Sequence, residues 1–593
     1  MAKRVLIVGG VAGGASCAAR LRRMDEQAEI VIFERSGNVS FANCGLPYYL
    51  GKVIADRQKL LLATPERFQS MFRIDVRVRH EVLSIDREKK LVRVKNLETG
   101  VGSIEPYDFL VLAPGAAPIR PPLPGVDLPG IFTLRNLDDT DRLYAKLEQI
   151  VGQVSNLSNV GQISNLSEVG QVANLSEQAV NPAQERQVGN LSHTAVVVGG
   201  GFIGLEMVEN LHRRGMKVVL LEKLGQIMPP ADAEMTAPLV QELRSRGVEV
   251  RLKCGVTGFE QIQGSDSILV KTESRENFTA DVVLLAVGVK PDVQLAKEAG
   301  LEIGETGGIR VDGRMRTSYP GIFAVGDAVE VIDYVTCQPT LVPLAGPANR
   351  QGRIAADAIC GREVRYRGTQ GTAIVGLFDL CLAMTGASEK TLRRLKIPYE
   401  KIYTHSADHA GYYPGAERIS MKLLFNPKTG RLLGAQAVGR AGVDKRIDVL
   451  ATAIQHQATV FELEEAELCY APQFGSAKDP VNIAGFVAGN ILRGDVTPAN
   501  WSEWKALADE GNPPFTLDVR PAAMVAANSI PGTVRIPLAE LRDRLDELPR
   551  DREIWVHCVV GQTSYNAVRM LAQNGFNVRN LSGGITTFRM QDM

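Results

Sequence analysis

Apolar residues in this chain fall in short unbroken runs that stop at glycine. Val5-Leu6-Ile7-Val8 runs into Gly9-Gly10, and Ala195-Val196-Val197-Val198 runs into Gly199-Gly200-Gly201. Such runs suit strands of a parallel sheet covered on both faces. After each, apolar positions spread to helical spacing, and the first stretch ends in Arg20, Arg22 and Arg23. The prediction is strand, tight turn, helix, twice. The next strands, IVIFE and VVLLE, close on Glu34 and Glu222. Further on, DVVLLAVGVKP and GIFAVGDA read as strands ending in glycine turns, and residues 350–490 mix helix and strand. After the linker Gly494–Pro498, the segments FTLDVR, TVRIPL and EIWVHC alternate with helical SYNAVRMLAQNG and strand NVRNLSG. The start, Met1-Ala-Lys-Arg before VLIVGG, superficially resembles a leader, but its glycines fit strand-turn-helix better.

Composition narrows the class. The 593 residues exceed one ordinary domain, so several compact units are expected. Lys+Arg and Asp+Glu both number 67, so there is no basic surplus for a nucleic acid or an anionic membrane. No apolar run approaches the roughly 20 residues that cross a bilayer. Eight cysteines with no C-x-x-C pair do not describe a disulfide framework and suit a reducing cytoplasm. The seven scattered histidines make no metal site.

The two glycine turns carry the first chemistry. Glycine lets backbone approach a pyrophosphate, the helix start offers positive potential, and the strand-end carboxylate accepts a ribose hydroxyl. In the first turn, Gly9, Gly13 and Gly14 precede Glu34, and Val11 holds the middle position of the fingerprint. The second, Gly199, Gly201 and Gly204 with Glu222, is complete. Two dinucleotide sites are expected. Glu222 should repel a 2′-phosphate and favour NADH, while the neighbouring Lys223 leaves NADPH open. Asp327, at the end of GIFAVGDA, can face a sugar-like hydroxyl chain.

Between the turns a nine-residue unit repeats as VGQVSNLSN, VGQISNLSE and VGQVANLSE over residues 151–177, with QVGNLS echoing it at 187–192. Three copies are too few for a solenoid, and the composition reads as a flexible surface insertion.

Cys44 stands in SFANCGLPYY, where a thiol can sit against a cofactor ring. Reduction by an internal dithiol needs a second cysteine nearby, and positions 45 to 49 are Gly, Leu, Pro, Tyr and Tyr. A lone Cys44 thiolate must instead form a mixed disulfide or persulfide with substrate. The other reading is a buried small hydrophobe. Cys17, Cys254, Cys337, Cys360, Cys381 and Cys469 are expected to be buried structural thiols.

Together the two fingerprints, SFANCGLPYY, GIFAVGDA and PLAGPANRQGRIAAD resemble the pyridine nucleotide-disulfide oxidoreductases, in particular the single-cysteine coenzyme A disulfide reductase branch, over residues 1 to about 490. LDVR, SIPGTVRIP, VHCVVGQTSYNA and LSGG resemble a rhodanese domain. The whole chain is thus similar to fusions of the two, a group containing NADH-dependent coenzyme A persulfide and polysulfide reductases. The resemblance implies FAD on Gly9 to Gly14 with Glu34 and Asp327, and NAD(P)H at Gly199, Gly201, Gly204 and Glu222. It implies coenzyme A on Ser16, Arg20, Arg23, Ser40, Asn43 and Arg73, and on Lys478 from the other subunit of a homodimer. It also implies that Tyr412 (or Tyr413) and Tyr470 reach the partner's active site, where a phenol can protonate a departing thiolate. Read alone, Arg20 and Arg23 are a solvated helix face and each tyrosine an ordinary half-buried aromatic.

In the tail, Cys558 ends a strand and opens a loop before a helix, a place that favours thiolate and persulfide. Asp518 and Arg520 match the usual strand-end pair. The CRxGxR loop of the reductase fusions is altered, with Val559 and Thr563 at the arginine positions, and Ser529 replaces the histidine often found before IPG. A slower or differently selective sulfur carrier is expected.

The fold class implied is α/β: two Rossmann-like nucleotide-binding domains, an α+β dimerisation domain and a C-terminal rhodanese-like domain. The boundaries expected are FAD-binding 1–135 and 311–348, a connector 136–194 holding the insertion 151–192, NAD(P)H-binding 195–310, dimerisation 349–494 and rhodanese-like 495–593. The activity expected is a cytoplasmic, homodimeric FAD enzyme that uses NADH to reduce coenzyme A persulfide or polysulfide at Cys44. The alternatives are coenzyme A disulfide reductase, an NADH oxidase or peroxidase working through sulfenic acid, and a module storing persulfide on Cys558.

Overall fold

A computed structural model describes residues 2–159, 193–525 and 529–591. They form two compact units, Met1–Gly225 with Arg246–Leu295, and Gln226–Ser245 with Ala296–Met593.

In the first unit, strand Arg4–Val8 pairs in parallel with Glu29–Glu34 and Phe109–Leu112, and Asp75–Val78 extends the sheet. The second run behaves alike. Thr194–Val198 lies between Lys217–Leu221 and Val282–Leu285, with Glu249–Arg251 and Ile131–Phe132 at the edges, all parallel. Val5, Leu6 and Ile7 are wholly buried, as are Ala195, Val196 and Val197. Each large aliphatic side chain buried this way contributes roughly 1.5–3 kcal/mol, which explains the unbroken apolar runs. Helices Ala12–Met24 and Phe202–Arg213 follow the two glycine turns. Three-stranded antiparallel sheets, His80–Pro106 and Val256–Ala280, complete the unit.

The repeat departs from expectation at its start. Helix Leu137–Asn159 continues through the first copy, VGQVSNLSN. Buried Leu143, Leu147 and Ile150 set a helical spacing, and in the sequence Val151, Val154 and Leu157 carry it on. The remaining copies and the QVGNLS echo lie outside the described residues.

The second unit is built on an antiparallel sheet, in the order Ala373–Leu377, Leu380–Gly386, Leu432–Gly439, Arg418–Phe425, Glu400–Ala407. Helices Val443–Gln455 and Pro480–Leu492 pack on it through Ile447, Leu450, Val481 and Ala484. The tail forms a parallel sheet with Ile554–His557 between Val578–Leu581 and Phe515–Asp518, and has its own apolar core. The mixed α/β class expected from the sequence is observed.

Buried charge reinforces this unit. The Lys422 ammonium, with no exposed surface, lies 2.8 Å from Asp232, 2.6 Å from Glu234 and 2.5 Å from Glu389. Burial opposes charge on Glu389, but Lys422 and Lys401 outweigh it and hold the carboxyl down at about 2. The cluster joins helix Ala233–Ser245 to the antiparallel sheet. From that sheet Tyr403 N–H donates to Ser582 Oγ (3.0 Å), and His405 Nε2 shares a hydrogen bond with Thr587 Oγ1 (2.8 Å), anchoring the tail.

Candidate functional site

The two glycine turns are built alike. Gly9 and Gly199 have φ of +94° and +103°, a region that favours glycine. A Cβ on Gly14 would lie 1.9 Å from the Gly9 carbonyl, and one on Gly204 1.9 Å from that of Gly199, so both helices start hard against their turns. Gly10 N–H donates to Glu34 Oε2 (2.9 Å), and Gly200 N–H to Glu222 Oε2 (2.7 Å). The other oxygen of Glu34 accepts from Ser36, and that of Glu222 from Leu224 N–H. Each strand-end carboxylate is fixed beneath its turn. Nothing lies within 4 Å of a Cβ built on Gly201, leaving room for a phosphate at the start of a twelve-residue helix. In the first turn Val11 caps the helix without a side-chain hydrogen bond. Gly13 is buried inside that helix. These cradles fit two dinucleotides. Lys223 is exposed and sits 3.8 Å from Glu273.

Cys44 lies exposed in the short turn Asn43–Gly45, ahead of helix Leu46–Leu50. The reading of Cys44 as a buried small hydrophobe does not hold. Asn43 is exposed beside it, and Ser40 has a left-handed φ of +48°, with its N–H donating to Gly10 O (2.8 Å). The cysteine turn is thereby tied to the first glycine turn. Ser16, Arg20 and Arg23 stand on helix Ala12–Met24 at spacings of four and three, one helix face. Arg73 is the left-handed C-cap of helix Pro65–Phe72.

Sequence reasoning missed what holds Arg73 there. Buried Arg22 donates to Phe72 O (2.6 Å), Arg73 O (3.0 Å) and Glu26 O (2.8 Å), clamping the ends of the two helices together. Its signal was present, since three arginines in four positions on an amphipathic helix cannot all face solvent.

A second missed pair stands near Cys44. Tyr48 donates to Glu206 Oε1 (3.3 Å), joining the cysteine helix to the helix after the second glycine turn. Burial, then the charges of Glu206 and Glu209 and that of a Cys44 thiolate, push the Tyr48 phenol up to about 12. Burial, with Glu209 adding to it, pushes Glu206 up to about 7. Glu206 closes the AVVVGGGFIGLE fingerprint, and Tyr48 follows Cys44 by four residues.

The remaining predicted residues lie in the second unit. Asp327 follows strand Ile322–Ala324 and Gly326, whose φ is +85°. Gly326 N–H donates to Gln351 Oε1 (2.7 Å). Tyr412 and Tyr470, 58 residues apart, meet hydroxyl to hydroxyl at 3.0 Å. Both are exposed, as are Tyr413 and Phe474, so the half-buried aromatics expected from the sequence alone are not found. Their loops are joined by Ala410 N–H donating to Gly475 O (3.0 Å), and by buried Arg446, which binds Asp408 O (2.6 Å) and Asp479 Oδ2 (2.8 Å). Lys478 is exposed beside that anchor. Of the cysteines expected to be buried, Cys17 and Cys254 are, Cys360 and Cys381 are half-buried, and Cys337 and Cys469 are exposed. The last two sit in a turn and a loop, where short apolar flanks do not make a core.

Cys558 directly follows strand Ile554–His557 and is 2% exposed. Gly561, with φ +95°, aims its N–H at Sγ from 3.2 Å and starts helix Gln562–Gln573. Ile585 N–H binds Cys558 O (2.9 Å) and Thr586 N–H binds Val559 O (3.1 Å), so the LSGG segment backs the loop. Behind it, Arg520 forks onto Asp518 at 2.7–3.0 Å. Burial would raise Asp518, but the fork outweighs it and the carboxyl titrates below its ordinary range. Burial pushes His557 down to about 4, so a neutral imidazole lies beside the cradle.

Comparison with known proteins fits this layout. The pyridine nucleotide-disulphide oxidoreductase profile matches residues 3–352, the dimerisation domain of that family 372–479, and the rhodanese-like domain 500–591. The chain is 43% identical to a reduced CoADR-RHD of Bacillus anthracis, covering 100% of this chain and 98% of that one, with a TM-score of 0.90. It is 34% identical to an NAD-dependent persulfide reductase from A. fulgidus, covering 99% and 100%, with a TM-score of 0.85. A coenzyme A disulfide reductase of Staphylococcus haemolyticus is 33% identical over 490 residues, 82% of this chain and 100% of its own. No helix among the described residues is long and apolar enough to cross a membrane.

Proposed function

Because the chain belongs to the pyridine nucleotide-disulphide oxidoreductase family, we propose that it uses NADH to reduce the S–S bond of coenzyme A persulfide or polysulfide at Cys44, releasing sulfide and thiol. The observation that carries this reading is an exposed lone cysteine, in a turn tied to the first glycine cradle. With one thiol the second sulfur must come from substrate, so Cys44 works through a mixed disulfide or persulfide.

Gly9, Gly13, Gly14 and Glu34 hold FAD, and Gly199, Gly201, Gly204 and Glu222 hold NADH. Bound FAD supplies two-electron transfer between NADH and sulfur. Glu222 repels a 2′-phosphate, so NADPH is the poorer donor. Ser16, Arg20, Arg23, Ser40, Asn43 and Arg73 bind coenzyme A, whose phosphates suit the guanidinium groups. In a homodimer, Tyr412, Tyr470 and Lys478 complete the partner's site. Cys558 carries sulfane sulfur in its amide cradle, with coenzyme A as adaptor between the two cysteines.

The test is anaerobic NADH oxidation by the FAD-loaded protein with coenzyme A persulfide, polysulfide and coenzyme A disulfide at equal concentration. Fastest turnover of persulfide or polysulfide, lost in Cys44→Ser, is the expected result. Coenzyme A disulfide as the fastest substrate would make the protein a disulfide reductase, and NADH consumed only by oxygen or peroxide would overturn the sulfur reading.

A further inference from the structure

Two adjacent glycines in the tail are pressed between a sulfur site and a sheet. Gly583 and Gly584 both have left-handed φ, +68° and +58°. A Cβ on Gly584 would lie 2.5 Å from Cys558 O, while one on Gly583 would lie 2.8 Å from Tyr403 Cβ and 2.9 Å from His405 Nε2. One glycine therefore meets the cysteine loop, and the other meets strand Glu400–Ala407 of the antiparallel sheet. Neither side has room for a methyl group.

Hydrogen bonds fasten both faces. On the loop side, Ile585 N–H and Thr586 N–H hold Cys558 O (2.9 Å) and Val559 O (3.1 Å), and Thr586 Oγ1 also donates to Val559 O (2.9 Å). Gly561, which aims its N–H at Sγ, would bring a Cβ to 3.2 Å from Gly583 N. On the sheet side, Tyr403 N–H donates to Ser582 Oγ (3.0 Å), and His405 Nε2 shares a hydrogen bond with Thr587 Oγ1 (2.8 Å). His405 is fixed in turn by Ser420 Oγ, 2.8 Å from its Nδ1 on the next strand. The Tyr403 hydroxyl donates to Glu234 Oε1 (2.6 Å).

We propose that His405, acting through Thr587, is a positioning residue for Cys558, so that the sulfur site of the rhodanese-like tail is completed by the dimerisation sheet. This rests on the reading of Cys558 as a carrier of sulfane sulfur. The cradle offers the sulfur a backbone N–H, and the aim of a backbone group depends on what backs its loop. Helix Gly584–Gln591 is a weak backing by itself, because the bond that would close its first turn, Thr587 N–H to Gly583 O, is long at 3.5 Å. The Thr587 hydroxyl on His405 fixes that turn instead. Without it Gly583 is free to draw off the loop, and the contact from Gly561 N–H to Sγ lengthens beyond 3.2 Å. His405 works by shape and hydrogen bonding, not by charge. Burial, with Arg418 adding to it, lowers the imidazole to about 3, so it is neutral at physiological pH.

The experiment loads the full-length, FAD-containing protein with polysulfide, removes the excess, and follows the Cys558 persulfide by mass on its own peptide in the absence of NADH. Thr587→Val and His405→Phe keep the shapes and lose the shared hydrogen bond, whereas Thr587→Ser and His405→Gln keep it. The persulfide half-life should fall about fivefold in the first pair, the worth of one net hydrogen bond, and stay within about twofold of wild type in the second. A second readout is amide hydrogen exchange over residues 559–564, the stretch that holds Gly561 N–H. It should lose protection in the first pair and keep it in the second. Unchanged half-lives and protection in Thr587→Val and His405→Phe would overturn the proposal, as would equal losses in both pairs, which would trace to packing and not to the hydrogen bond. If wild-type Cys558 takes up no sulfur, the carrier reading itself fails, and the exchange comparison still decides whether His405 positions the loop.

Discussion

Cys44 and Cys558 both sit between strand and helix, yet the chain serves their sulfurs in opposite ways. Cys558 is almost sealed, and its sulfur receives a backbone N–H from 3.2 Å. A backbone dipole of this kind neither gives nor takes a proton. Cys44 is exposed and neighboured by Tyr48 and Glu206, groups that titrate. A sulfur that only carries another sulfur needs its charge held. One that must expel a thiolate in each cycle needs protons on demand. The contrast separates a storage site from a reducing site.

The sharpest way to break that contrast is to remove each thiol. Cys44→Ser is expected to abolish NADH-dependent reduction, while Cys558→Ser leaves reduction of free polysulfide within about twofold, because Cys558 adds sulfur supply and no electron path. Equal losses in both would merge the two sites into one. Next in size is the buried charge cluster that joins helix Ala233–Ser245 to the antiparallel sheet. Lys422→Met leaves Asp232, Glu234 and Glu389 facing one another without their shared ammonium, and stability to urea should fall by about 3–5 kcal/mol. A smaller effect is expected at the cradle. Gly561 has φ +95°, and a Cβ there would lie 3.2 Å from Gly583 N, so Gly561→Ala should cost about 1–3 kcal/mol and shorten the life of a persulfide on Cys558. Gly45, beside the other cysteine, has φ −84°, and alanine there displaces only the Leu60 side chain.

Much of this could be read from the chain. The glycine turns and their carboxylates announced themselves because close backbone approach tolerates no Cβ, and Glu34 and Glu222 end where the strands do. The isolation of Cys44 was visible in SFANCGLPYY. Tyr412 and Tyr470 were named, but their meeting was not legible, since 58 residues separate them and only folding joins the loops. Arg22, Lys422 and Glu206 were hidden for one reason. A buried charge looks like any surface charge in sequence until its partners are known, and Lys422 draws its own from Asp232, Glu234 and Glu389, distant in the chain. The first repeat copy misled in the other direction, since its Ser/Asn content suggested a loop while its apolar spacing continued a helix.

The subtlest test of the contrast is the dependence of stability on pH, where the two sites should slope in opposite directions. Glu206 is raised from 4.5 to about 7, so between those values the folded protein binds more protons there than the unfolded chain does. Its contribution is fully present below 4.5 and is lost as pH rises through 7. Near Cys558 the signs reverse. His557 is depressed to about 4, and His405, buried and bonded to Thr587, to about 3. The unfolded chain binds more protons at these sites as pH drops below 6.5, so their contribution, present above that value, fades toward the folded values. Urea unfolding followed from pH 4 to 8 should show Glu206→Gln steepening the gain in stability with pH, and His557→Gln flattening it. If both variants shift the curve the same way, the raised carboxyl near Cys44 and the depressed imidazoles near Cys558 are not the opposites their burial makes them.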